Sequence, residues 1–181
     1  MKRHLFERNR SLYRKLLLDA DYLDVHFEIR SGGVSAVHKF HRFDQEKGPY
    51  GIKRGDYERQ VVDFLRRKGY SIILESERAA SGVKTPDGTL NGSVMDIKAV
   101  ESAGRWAIKD KLHKATKQGV SILILYYPNE QLFSWERMKD GWNKYQESYD
   151  AQRYPRSVRQ IVCVFKNGRK IKKELPKQFR F

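Results

Sequence analysis

The order of apolar and polar residues along the chain predicts alternating helices and strands. Apolar residues recur every three or four positions in four stretches, residues 5–20, 57–68, 106–118 and 132–149, which is typical of helices with one buried face. Alternating or continuous apolar runs predict strands at residues 22–30, 34–40, 71–76, 93–100, 121–127 and 157–165, with a further short strand entering at Asp87. From residue 56 onward the order is helix, three strands, helix, strand, helix, strand. That order predicts an α/β domain with a mixed sheet.

Turn-forming residues set the predicted ends of these elements. Asp56 is expected to cap the second helix, while Gly69 and Gly119 are expected to end the second and third helices. Residues 43–55 hold four glycine or proline residues and predict a loop. We therefore expect two parts: an N-terminal helix and β-hairpin extension, residues 1–55, and a core with a basic C-terminal tail, residues 56–181.

Two sets of apolar side chains are expected to face the interior. The first alternates along the strand at residues 22–30 and comprises Leu23, Val25, Phe27 and Ile29. The second follows the fourth helix at spacings of three, four and three and comprises Trp135, Met138, Trp142 and Tyr145. Such a stripe indicates core packing rather than a surface on which bases stack.

Two carboxylates and a lysine are the candidate reactive groups. Asp96 and Lys98 are two residues apart in a predicted strand, so their side chains lie on one face. An Asn91-Gly92 turn joins that strand to the one entering at Asp87, which predicts a hairpin that brings the two carboxylates together. Neighbouring carboxylates repel each other unless a hard cation lies between them, and oxygen ligands suit Mg²⁺ or Mn²⁺. Such an ion polarises a phosphodiester and activates water, with Lys98 holding the water or a phosphate oxygen.

The charge of the chain favours a polyanionic partner. The 181 residues include 37 Lys and Arg against 22 Asp and Glu, a formal charge of +15. So large an excess disfavours the compact state through self-repulsion, and phosphate contacts would neutralise it. Four lysines of the third predicted helix are expected to lie beside the site and hold the nucleic-acid backbone: Lys109, Lys111, Lys114 and Lys117.

Pro86-Asp87 and Asp96-Ile97-Lys98 resemble the PD-(D/E)XK motif of the restriction-endonuclease-like nuclease superfamily. The resemblance covers residues 56–127 and implies an αβββαβ core with a mixed sheet, and Mg²⁺- or Mn²⁺-dependent hydrolysis of phosphodiester bonds in DNA or RNA. It also implies accessory roles for Glu58, as an additional metal ligand from the first core helix, and for Gln118, as the polar residue on the helix after the motif strand. Asp96 stands where Glu is commoner, which shortens the reach to a metal by one methylene.

The spacing of GYSIILES, TPDG, MDIK and KATKQG is also similar to that in the C-terminal nuclease domains of contact-dependent (CdiA-type) and other polymorphic bacterial toxins, some of which cleave tRNA, and in related domains of phages and mobile elements. This likeness implies an acidic immunity or inhibitor protein as a partner. It implies action in the cytoplasm, either the cell's own or that of a target cell. The chain has no run of eighteen apolar residues, so we expect no association with a membrane.

Other residues leave further possibilities open. Glu75 and Glu77 alternate on one face of a neighbouring strand and are rival metal ligands. His38 and His41 lie close together, and paired histidines can cleave RNA without a metal, one as base and one as acid. A third possibility is a non-catalytic nucleic-acid-binding accessory protein of a phage or mobile element, which keeps the fold and does not use the site. The single cysteine, Cys163, lies in an apolar strand and is expected to be a buried thiol.

Overall fold

A computed structural model describes residues 3–77, 85–104, 106–148 and 158–174. The helices are α1 (Arg3–Leu18), α2 (Arg54–Arg67), α3 (Ala107–Lys117) and α4 (Trp135–Gln146), with a short 3-10 helix, Glu130–Leu132, before α4. The strands are β1 (Tyr22–Glu28), β2 (Gly33–His38), β3 (Ser71–Leu74), β4 (Gly88–Leu90), β5 (Ser93–Ala99), β6 (Ile122–Tyr127), β7 (Gln160–Phe165) and β8 (Lys170–Glu174).

The eight strands form one mixed sheet whose spatial order follows the chain, β1 to β8. The pairs β2–β3, β5–β6 and β6–β7 are parallel, and the other four pairs are antiparallel. Parallel neighbours need a crossover connection, and α2, α3 and α4 provide the three crossovers. The predicted α/β class with a mixed sheet is therefore confirmed.

Helices cover both faces of the sheet. On one face α2 packs its Tyr57, Val61 and Leu65 against alternate residues of β3 to β7. On the other face α3 and α4 cover β6 and β7, and α1 covers β2 and β3. All six residues of β6 are buried, as the unbroken apolar run of this central strand predicts.

The strand β1 departs from the simple alternation that its sequence suggests. Asp24 has a φ of +49°, and the register with β2 shifts between Leu23 and His26. This bulge adds one residue to the strand, so Tyr22 and Val25 face α1 while Leu23 is 54% exposed. The prediction that Leu23 and Ile29 face the interior was wrong; Ile29 lies beyond the end of β1 and is exposed.

Two details of the helices also differ from the predictions. Asp56 does not cap α2, because the helix begins at Arg54 and Asp56 lies in its first turn, 3.3 Å from Arg59. A carboxylate there still complements the positive end of the helix dipole. Trp135 is exposed at the start of α4, whereas Met138, Trp142 and Tyr145 are buried as predicted.

The N-terminal extension and the core share one sheet, since β2 pairs with β3 along four residues. A boundary at residue 55 stays a prediction. None of the helices within the described ranges combines the length and the apolar character needed to cross a membrane.

Candidate active site

The β4–β5 hairpin places Asp87 and Asp96 side by side. The ladder pairs Gly88 with Met95, and the next step along it brings Asp87 opposite Asp96. Asp87 Oδ2 accepts a hydrogen bond of 2.6 Å from the Ile97 backbone N–H, which fixes the carboxylate at the end of the ladder. The hairpin predicted from the Asn91-Gly92 turn is confirmed.

The side chain of Asp96 is fully buried. Its Oδ1 accepts a hydrogen bond of 2.7 Å from Lys98 Nζ, which also lies 3.9 Å from Asp87 Oδ2. The second oxygen, Asp96 Oδ2, is buried and has no hydrogen-bond partner among the described residues. A buried carboxylate oxygen without a donor is costly, and a bound cation would satisfy it.

The charges at this hairpin shift the pKa values of its side chains. Burial, with the neighbouring charge of Asp87, raises the pKa of Asp96 to about 7, although Lys98 opposes the rise. Burial disfavours the charged form of Lys98, yet Asp87 and Asp96 hold its pKa above the usual value. When both carboxylates are ionised, one ammonium does not neutralise them, so the site favours a further positive charge.

Glu58 of α2 reaches the same end of the sheet and pairs with His41. The His41 side chain is fully buried, with Nε2 3.2 Å from Glu58 Oε2 and Nδ1 3.1 Å from the Glu75 carbonyl oxygen. Both partners are acceptors, so the doubly protonated imidazolium satisfies both. Burial lowers the pKa of His41, but the hydrogen bond and charge of Glu58 outweigh it and raise that pKa. Burial raises the pKa of Glu58, and the charge of Asp87 adds to the rise.

The structure gives the two histidines different surroundings. His41 is enclosed, whereas His38 is half-buried, its Nδ1 accepts a hydrogen bond from the Phe40 N–H at 3.1 Å, and its ring packs edge-on against Tyr22. The sequence offers His41 as a partner of His38 in metal-free cleavage and does not predict its contact with Glu58. Nothing local in the sequence signals this contact, since the two residues lie on either side of a long loop.

Gln118 follows α3 and reaches the segment that carries Asp87. Its Nε2 donates a hydrogen bond of 2.9 Å to the Thr85 carbonyl oxygen, two residues before Asp87. Its Oε1 is buried without a hydrogen-bond partner among the described residues. Gln118 therefore holds the segment that runs from Thr85 to Asp87.

The rival carboxylates Glu75 and Glu77 have other partners. Glu75 Oε2 accepts a hydrogen bond of 2.7 Å from the Tyr22 hydroxyl, which the bulge in β1 directs toward it. Burial and this contact raise the pKa of Tyr22. Glu77 Oε1 lies 3.5 Å from His41 Nδ1.

The four lysines of α3 differ in their exposure to solvent. Lys111 is half-buried, and burial together with the charge of Lys114 lowers its pKa, with a contribution from Lys98. Lys109 lies 4.8 Å from the Trp106 ring centre, and Lys114 and Lys117 are exposed.

The carboxylates at the hairpin are the oxygen donors available to a divalent metal. Among the described residues, no three His, Cys, Asp or Glu side chains stand together so that they would hold a metal ion, and Glu58 Oε2 faces His41. Asp87 and Asp96 nevertheless supply adjacent carboxylates, and the partnerless Asp96 Oδ2 provides a free oxygen ligand. Oxygen donors of this kind fit Mg²⁺ or Mn²⁺.

Comparisons with known proteins give little similarity. No protein-family model matches the chain, and no curated protein matches it. Among solved structures, the chain is similar to the CdiA-CT/CdiI toxin and immunity complex from Burkholderia pseudomallei, with 18% identity and a TM-score of 0.49. The alignment covers 78% of this chain and 99% of the other.

Proposed function

We propose that the protein is a metal-dependent nuclease that hydrolyses phosphodiester bonds in DNA or RNA, with a PD-(D/E)XK site on a restriction-endonuclease-like core. The observation that carries the proposal is the buried carboxylate of Asp96, which lies beside Asp87 and Lys98 and keeps one oxygen without a partner. The element order α2-β3-β4-β5-α3-β6, which matches αβββαβ, supports the same assignment.

In this proposal Asp87 and Asp96 hold Mg²⁺ or Mn²⁺, with Glu58 as an accessory ligand. When bound, such an ion polarises the phosphodiester, stabilises its developing charge and lowers the pKa of bound water. The Lys98 ammonium, 2.7 Å from Asp96, is placed to hold the attacking water or a non-bridging phosphate oxygen. Asp96 is fully buried and Asp87 and Lys98 are largely so, and charge interactions between buried groups are stronger than in bulk water.

The surrounding residues position these groups. The Gln118 hydrogen bond to Thr85 keeps Asp87 at the end of the hairpin. His41 fixes Glu58 through the 3.2 Å contact, in the way that outer groups orient the ligands of metal sites. Lys111, together with the exposed Lys114 and Lys117, would attract the phosphate backbone.

The test is incubation of the purified protein with plasmid, single-stranded DNA and total tRNA, with Mg²⁺ or with EDTA. Asp96→Asn removes the proposed ligand, and Asp110→Asn makes the same chemical change at an exposed residue of α3. Metal-dependent cleavage that Asp96→Asn abolishes and Asp110→Asn retains is the expected result, and the substrate that is cut names the substrate class.

Two other outcomes would point to different functions. Cleavage that persists in EDTA and in Asp96→Asn, and is lost in His38→Ala, would favour a metal-independent ribonuclease. Binding of nucleic acid without cleavage under any condition would favour an accessory protein that does not use the site.

We also propose an acidic protein inhibitor as a partner, acting in the cytoplasm where the nuclease acts. The formal charge of +15 supports such a partner, because complementary charge speeds the association of two proteins. Salt screens that attraction, so the association rate should fall as the salt concentration rises. The test is to mix the purified protein with a protein encoded beside it and to measure binding and cleavage at low and high salt. Binding that weakens with salt and blocks cleavage would support the proposal. A neighbouring protein that binds and leaves cleavage unchanged would not.

A further inference from the structure

A cavity of about 580 Å³ lies beside the turns that join β1 to β2 and β4 to β5, away from Asp87 and Asp96. Its wall includes Lys68 and Gly69 after α2, Tyr70 before β3, and Asn91 in the β4–β5 turn. Because Asn91 lies at the opposite end of the hairpin from Asp87, this cavity is separate from the candidate active site.

Four cationic side chains line the cavity, and no acidic residue does. They come from four separate parts of the chain and are Arg8, Arg30, Lys68 and Lys170. Within the described ranges none of them forms an ion pair with a carboxylate, whereas neighbouring Arg66 pairs with both Glu28 and Asp63. Four uncompensated positive charges around one concave surface favour an anionic ligand.

The cavity wall also contains an unused hydrogen-bond acceptor, the side-chain oxygen of Asn9. Asn9 is 1% exposed, and its Nδ2 donates hydrogen bonds to the carbonyl oxygens of Gly32, at 2.8 Å, and Gly69, at 3.4 Å. These two acceptors fix the amide orientation, and Asn9 Oδ1 remains buried without a partner among the described residues. Lys170 is held over the Tyr70 ring, 4.2 Å from its centre, and donates a hydrogen bond to the Tyr70 hydroxyl.

We infer that this cavity is a second phosphate-binding site, whose ligand carries a phosphate group for the cations and a hydrogen-bond donor for Asn9. A nucleotide unit has both, since its phosphate is anionic and its sugar hydroxyls and base amino groups donate. The nucleotide is either free or part of a nucleic-acid strand. The inference goes beyond the proposed nuclease and does not depend on the hairpin site.

The test compares two double variants of equal charge by titration calorimetry. Arg8→Ala with Arg30→Ala removes two cations of the cavity, and Arg10→Ala with Arg14→Ala removes two exposed cations of α1 outside it. The probes are inorganic pyrophosphate, AMP and a short single-stranded RNA, all with Asp96→Asn present so that no strand is cut. Because the substituted arginines make no described ion pair, unchanged thermal melting is expected for both variants.

The cavity variant, Arg8→Ala with Arg30→Ala, should bind AMP or the RNA about tenfold more weakly. The control variant should change the affinity by less than about twofold, because a charge in contact with the ligand contributes more to binding than a distant charge. Loss for AMP as well as RNA identifies a free-nucleotide site, and loss for RNA alone identifies a site for the strand backbone. Equal weakening in both variants, or no binding of any probe, would overturn the inference. The cavity variant is also assayed for Mg²⁺-dependent cleavage with Asp96 intact. Loss of nucleotide binding with retained cleavage would separate this cavity from the proposed nuclease site.

Discussion

Replacement of Asp96 by Asn should abolish cleavage and yet stabilise the metal-free protein at alkaline pH. The Asp96 side chain is fully buried, one of its oxygens has no partner, and Asp87 lies beside it. Its pKa is raised from 3.8 to about 7. A carboxyl group with a raised pKa in the folded state destabilises that state as pH rises from its unfolded to its folded pKa.

The magnitude follows from this pKa. Each unit corresponds to about 1.4 kcal/mol, so the rise from 3.8 to about 7 makes the ionised carboxylate cost up to roughly 4 kcal/mol at pH 8. Asn removes this cost, and the opposing effect of Lys98 is already included in the pKa of about 7. The expected gain at pH 8 is therefore up to roughly 4 kcal/mol, and each kcal/mol corresponds to about 2–4 °C in Tm for a chain of this size.

The assay is thermal unfolding of both proteins in EDTA at pH 8 and pH 5. At pH 5 Asp96 is protonated in the folded protein but mainly ionised in the unfolded chain, so the stabilisation by Asn should fall to less than about half of its value at pH 8. Other titrating groups cancel in the difference between the two proteins. Added Mn²⁺ at pH 8 should raise the Tm of the unsubstituted protein and leave Asp96→Asn unchanged. A Tm difference that is the same at both pH values would refute the reasoning about the buried charge.

Three further substitutions test other parts of the structure. Gly88→Ala should destabilise the protein by more than about 2 kcal/mol in chemical denaturation, because an added Cβ would lie 1.9 Å from a backbone carbonyl oxygen of β3; a native-like midpoint would contradict the close β3–β4 approach. His41→Phe should lower kcat of the cleavage reaction about 10–100-fold with little effect on KM, since it removes the donor to Glu58, and partial rescue by His41→Gln would separate hydrogen bonding from packing. Trp142→Ala should cost about 3–5 kcal/mol in unfolding free energy and Trp135→Ala less than about 1, because the first ring is buried and the second is 55% exposed; equal costs would show that both rings lie in the core.

Local patterns were sufficient for the four helices, for the strands up to β7 and for the carboxylate pair of the candidate site, but they did not predict β8. The period-two alternation puts Asp96 and Lys98 on one face, and the Asn91-Gly92 turn forces the strands to pair. Both are properties of neighbouring residues, so the hairpin and its two carboxylates could be predicted without knowledge of the rest of the chain. Continuous apolar runs likewise identified β6 as a central strand, because burial on both faces removes the alternation.

Contacts between distant segments required the tertiary structure. His41 contacts Glu58 and Gln118 contacts Thr85. These contacts form only because α2 and α3 connect parallel strands and so bring distant segments to the ends of those strands. The extra residue in β1 changes the face on which Tyr22 lies.

The sequence by itself determined the α/β class, the basic charge and the paired carboxylates, because each depends on composition or on neighbours along the chain. The tertiary structure decided which side chains surround those carboxylates, and it formed the cationic cavity from α1, the end of α2 and β8. Side chains so far apart in sequence share no local pattern, and only the packing of the elements around one sheet brings them together.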